Sequence, residues 1–100
     1  MLKKRFFKTK NEAEVTFEYE HPHAARVALV AEFNQWQPLP MTCSKKGGTF
    51  RVKTRLPKNS EFHFRYLIDD QEWDNDHQAD AYVANAYGTD NSVVSTHVQP

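Results

Sequence analysis

Phe62-His63-Phe64-Arg65-Tyr66-Leu67-Ile68 alternates apolar and polar side chains and stops at Asp69-Asp70. Successive side chains of a strand point to opposite faces, so Phe62, Phe64, Tyr66 and Ile68 face a core and Arg65 faces away from it. A period of two excludes a helix here. The same alternation runs through Glu14 to Glu20, with Val15, Phe17 and Tyr19 inward, and through Phe50 to Leu56, with Phe50, Val52 and Leu56 inward. Arg26 to Ala31 is more uniformly apolar and is also expected as a strand. Leu2 to Lys8 forms a basic and aromatic opening strand, and Ser92 to Val98 is β-branched enough to close the sheet.

Turn residues separate these runs: Lys10-Asn11, His21-Pro22, Pro38-Leu39-Pro40, Lys46-Gly47-Gly48, Pro57-Lys58-Asn59-Ser60 and Asp69-Asp70. Short strands at such spacing predict an all-β, immunoglobulin-like antiparallel β-sandwich. Only Gln78 to Ala86, with four alanines, suits a helical turn. At 100 residues one domain over 1–100 is expected, long enough for one core and too short for two.

Thirteen basic and thirteen acidic residues cancel, so the chain lacks the positive field of a nucleic-acid or anionic-membrane binder. No run approaches the length of a membrane span, and no apolar signal core follows Lys3-Lys4-Arg5; a cytoplasmic chain is expected. Cys43 is the single cysteine, which excludes an internal disulfide.

Catalysis and metal binding find little support. Asp74-Asn75-Asp76 opens like a calcium loop, but Ala79 stands where the turn glycine belongs and Asn85 where the closing glutamate belongs. A solvated acidic loop through Asp74, Asp76 and His77 is expected instead. His21-Pro22-His23 reads as a plain turn without further ligands nearby. No serine or cysteine sits in a nucleophile motif, three glycines build no phosphate loop, and no cofactor is implied.

Trp36 and Trp73 stand out, each among polar neighbours in a connection: Phe33-Asn34-Gln35-Trp36-Gln37-Pro38 and Gln71-Glu72-Trp73-Asp74. On residue type alone each ring folds over a sandwich end and plugs the core. If exposed, the two indoles form a platform whose flat π surface matches the C–H face of a pyranose, with Arg65 donating to hydroxyls.

Val27 to Trp36 followed by Pro38-Leu39-Pro40 resembles the "strand, Phe-Asn-x-Trp, Pro-Leu" signature of isoamylase N-terminal, or early-set, domains. These include family 48 carbohydrate-binding modules and the glycogen-binding domain of the AMP-activated protein kinase β subunit. Phe64 to Trp73 is similar to that family's hairpin and Tyr87-Gly88-Thr89-Asp90-Asn91 to its closing loop, so the likeness covers about 25–94. It implies noncatalytic binding of α-1,4-linked glucan (glycogen, starch or maltooligosaccharide). The implied contacts are Trp36, Arg65, Trp73, Tyr87, Thr89 and Asn91, and a glycogen- or starch-metabolising enzyme is the implied partner. The chain departs from the pattern at Asp70 for a glycine, at Glu72 as an added residue, at His77 for a proline and at Tyr87 for a leucine. The alternative is an early-set protein-docking domain, which needs no exposed, coplanar indoles.

Overall fold

The computed structural model describes residues 1–44 and 47–98. The chain runs through β1 (Leu2–Phe6), β2 (Glu12–Glu20), β3 (Val27–Ala31), β4 (Leu39–Pro40), β5 (Thr42–Cys43), β6 (Thr49–Pro57), β7 (Glu61–Ile68), β8 (Glu72–Asp74), β9 (Ala81–Ala84) and β10 (Asp90–Ser95). All pairings are antiparallel. One sheet has the order β1-β2-β6-β5; the other is β4-β3-β7-β10-β9, with β8 also paired to β7.

The alternations settle which faces meet. Val15, Phe17 and Tyr19 of β2 and Phe50 and Leu56 of β6 pack against Leu29 of β3 and Phe64, Tyr66 and Ile68 of β7. Rings from the two sheets interlock: Phe17 meets Phe64 edge-on at 5.1 Å between centroids, and Tyr19 lies 4.7 Å from Tyr66. Each fully buried large apolar side chain contributes about 1.5–3 kcal/mol from transfer alone, so this layer holds the sandwich together.

Four expectations need correction. Gln78 to Ala86 winds no helix: Ala81–Ala84 is an edge strand paired with Asp90–Val93. Alanine's helix preference is a weak prior, and tertiary contacts override it. The Tyr82 hydroxyl donates to the Asp76 carbonyl, Asp80 accepts from the Ser95 N–H at 2.8 Å and from Lys4 at 2.7 Å, and a helix would forfeit these bonds. Consequently β10 does not close its sheet; it lies between β7 and β9 and ends at Ser95 rather than Val98.

Leu39–Pro40, read as turn, pairs instead with Ala28 and Leu29, an edge position where a proline's missing N–H costs nothing. Asp76 is not solvated. It is 1% exposed, and its carboxylate accepts from the Tyr66 hydroxyl at 2.7 Å and the Gln78 N–H at 2.8 Å, while its own N–H donates to Ser92 Oγ at 2.9 Å. A buried carboxylate persists only with such donors. Burial first, then the Asp76 charge, push the Tyr66 hydroxyl far above the usual tyrosine range, so it stays a donor. Lys46 of the expected Lys46-Gly47-Gly48 turn lies outside the described residues. Cys43 is exposed on β5 beside that turn.

Candidate functional site

Three chain segments meet on the outer face of the second sheet. The first is the exit from β3, where Glu32–Asn34 forms a single 3₁₀ turn. Asn34 ties it down, its Oδ1 accepting from the Ala31 N–H at 3.0 Å. Gln35 and Trp36 then both take left-handed backbone at φ 58°, and the Trp36 N–H returns to the Ala31 carbonyl at 2.8 Å. This reversal divides the aromatics. Phe33 turns inward, 5.8 Å from Phe17 and 5.6 Å from Phe62 between centroids, and Trp36 turns out. The core-plugging role open to Trp36 belongs to Phe33.

The second segment is the β7–β8 hairpin. Arg65 projects outward because Phe64 and Tyr66 project inward. Asp69 and Asp70 turn the chain with φ of 51° and 59°, left-handed backbone that aspartate tolerates better than most residues. Asp69 Oδ1 accepts from the N–H groups of Ala25 and Arg26, at 2.8 and 2.9 Å, and the Gln71 N–H donates to the Ile68 carbonyl at 3.0 Å. The added residue before Trp73 is absorbed here, since Ile68 pairs with Glu72 and Leu67 with Trp73. Trp73 therefore shares the outer face with Arg65, whose guanidinium carbon lies 5.6 Å from the indole centroid.

The third segment is the β9–β10 loop, organised by Asn85. Its Oδ1 accepts from the Tyr87 N–H at 2.9 Å and the Thr89 N–H at 3.3 Å, and its Nδ2 donates to Thr89 Oγ1 at 2.8 Å and to Asn91 Oδ1 at 3.1 Å. Gly88 at φ 81° completes the reversal, and its position would strain any side chain. Tyr87 is left standing at the tip, 91% exposed.

Trp36, Arg65, Trp73, Asn85, Tyr87, Thr89 and Asn91 together line one open depression of about 670 Å³. All six residues singled out in the sequence are brought together. Asn85 was missed, although an asparagine two residues before Tyr87-Gly88 is a turn former by composition. Trp36 and Trp73 are 44% and 50% exposed, so neither is a core plug. Chemically the depression offers three accessible rings, hydroxyl and carboxamide groups of both hydrogen-bonding kinds, and one cation. Arg65 Nε is buried and has no hydrogen-bond partner among the described residues. That composition suits a neutral, hydroxyl-rich ligand with apolar faces. Among the described residues no group of three or more His, Cys, Asp or Glu is arranged to hold a metal ion.

Solved structures of other proteins share the fold, two esterases among them. The enterobactin esterase of Shigella flexneri superposes with a TM-score of 0.77 at 13% identity over 95% of this chain and 32% of the esterase. The ferric enterobactin esterase of Salmonella typhimurium gives 0.58 at 18% identity over 87% and 23%. The chain thus spans a third or less of either esterase, and at these identities the likeness is one of fold. A comparison with curated proteins found no match. The family described as the glycogen recognition site of AMP-activated protein kinase matches residues 13–99, which includes every residue lining the depression. The chain belongs to that family of carbohydrate-binding modules.

Proposed function

We propose that this chain binds α-1,4-linked glucan through the depression, without catalysing a reaction on it. One observation carries the reading: seven residues from three separate segments line a single open surface. Trp36 and Trp73 supply flat apolar surface for pyranose rings, with part of that surface dry in the bound state. Arg65, held over the Trp73 ring, turns its free N–H groups to sugar hydroxyls, and Thr89 and Asn91 exchange hydrogen bonds with the same chain. Tyr87 replaces a leucine at the loop tip and adds a third ring. As a noncatalytic module, the chain would hold a glycogen- or starch-metabolising enzyme on its polymer. Affinity falls between about micromolar and about millimolar, because an open surface leaves much of a flexible oligosaccharide wet.

Co-sedimentation with glycogen, or retardation in a glycogen-containing native gel, tests this reading. The chain is retained and is released by maltoheptaose, while the folded double variant Trp36→Ala/Trp73→Ala runs free. A wild-type chain that is not retained overturns it and favours a protein-docking role for this surface.

A further inference from the structure

The β9–β10 segment that carries Tyr87, Thr89 and Asn91 is wired to a titratable side chain outside the depression. The wiring has a fixed direction. Asn85 Oδ1 accepts from the backbone N–H groups of Tyr87 and Thr89, and these groups can only donate. The Asn85 carboxamide is therefore fixed, and its Nδ2 faces Asn91. Asn91 must answer with Oδ1, at 3.1 Å, which leaves its own Nδ2 to face His63 Nδ1 at 3.4 Å. His63 lies on β7 two residues before Arg65, on the same face, with Val93 opposite it on β10.

We propose that His63 is a positioning residue for the ligand-binding loop: its neutral imidazole, with the proton on Nε2, fixes the orientation in which Asn91 meets the ligand. Protonation places an N–H on Nδ1, so that two donors confront each other across that contact. Asn91 cannot resolve the conflict by rotating its carboxamide, because its Nδ2 would then face Asn85 Nδ2. Asn85 cannot rotate in turn, because the two backbone N–H groups hold its oxygen. The contact to His63 opens instead, and Asn91 loses one of its two anchors.

The charged groups around the imidazole are few. Glu32, from the 3₁₀ turn, accepts from the His63 backbone N–H at 2.5 Å. Glu61 and Arg65 flank His63 on β7, and His97 pairs with Glu61 at 3.7 Å. Across the strand pair, Asn91 and Val93 carry no charge. Over the range from about pH 7.5 to about pH 5 imidazoles are the side chains that change charge, as carboxylates titrate lower and guanidinium not at all; of the two here, His97 bonds Glu61 and His63 meets Asn91.

This inference rests on the glucan-binding reading for its consequence, but its structural core is tested without sugar. In nitrogen-15 spectra of the whole chain, neutral His63 shows the Nε2–H tautomer. The Asn91 side-chain amide, with the Asn85 amide behind it, shifts with the same midpoint as the His63 ring. In His63→Asn, whose Oδ1 stands in for Nδ1 and never protonates, those amides stay still over this range. Maltoheptaose affinity of the wild type falls roughly threefold to tenfold from about pH 7.5 to about pH 5, the worth of one hydrogen bond, and the ratio for His63→Asn stays near one. A neutral Nδ1–H tautomer, or an Asn91 amide indifferent to the His63 titration, overturns the relay even if no sugar binds. A wild-type affinity independent of pH, or an equal loss in His63→Asn, overturns its consequence for binding. Absence of glucan binding at every pH condemns the functional reading instead, and the spectra still decide the relay.

Discussion

The Arg65 guanidinium carbon lies 5.6 Å from the centroid of the Trp73 ring, in a pair whose two members sit on neighbouring antiparallel strands. The contact joins the one cation of the depression to one of its exposed rings. Cation–π attraction at a partly exposed site is worth about 0.5–1 kcal/mol, which favours this arrangement of the two side chains before a ligand arrives.

Trp36→Ala and Trp73→Ala should separate binding from folding. Half-exposed side chains contribute little to stability, so each variant loses at most about 1 kcal/mol by denaturant titration. Each nevertheless loses most glucan affinity by calorimetry. Phe64→Ala, by contrast, truncates a ring that is fully buried and costs about 3–5 kcal/mol.

Glucan binding should be nearly indifferent to salt. Sugar hydroxyls carry no charge, so affinity changes by less than about twofold between about 0.05 and about 0.5 M salt, measured by calorimetry. Arg65→Ala weakens binding through lost hydrogen bonds and the lost brace on Trp73, and it should do so equally at both salt concentrations. A steep salt dependence would instead indicate an anionic ligand.

Much of this arrangement is legible in the sequence, and the failures share a cause. Period-two alternation located β2, β6 and β7 within two residues, because one face of each is buried and the other is not. It also put Arg65 on the face opposite Phe64. Local pattern misread β9, where alanines satisfy helix propensity but Tyr82 and Asp80 bond to partners distant in the chain. It misread Asp76 for the same reason, since its burial depends on Tyr66 and Ser92. Whether Trp36 points in or out is decided by two consecutive left-handed residues, which nothing in Gln35-Trp36 signals.

Asp76 should prove a structural residue. Asp76→Ala leaves the Tyr66 hydroxyl without its acceptor in the interior and costs about 1–3 kcal/mol. Calcium or zinc should leave the melting temperature of the wild type unchanged, because a ligand bound only by the folded state must raise it. A metal-dependent rise would reopen the Asp74-Asn75-Asp76 loop as a cation site.

Acid stability should depend in part on Glu18. Its pairing with Lys3, at 2.8 Å, holds the carboxyl below the ordinary value of 4.5 against the opposing effect of burial, with Arg51 at 3.3 Å assisting. A folded-state value below the unfolded one gives stability that is present above the ordinary carboxylate range and lost as pH falls through the folded value. Glu18→Gln should therefore lower the melting temperature at neutral pH and converge on the wild type at the acid end of a melting series.

The most direct test of the central claim is a two-dimensional NMR titration of the chain with maltoheptaose. The account predicts fast-exchange shifts confined to the Trp36 and Trp73 indole N–H groups, Arg65 Nε–H, the Asn85 and Asn91 side-chain amides and the 87–91 backbone. Saturating sugar that moves none of these signals, or that moves signals on the β1-β2-β6 face instead, would contradict it.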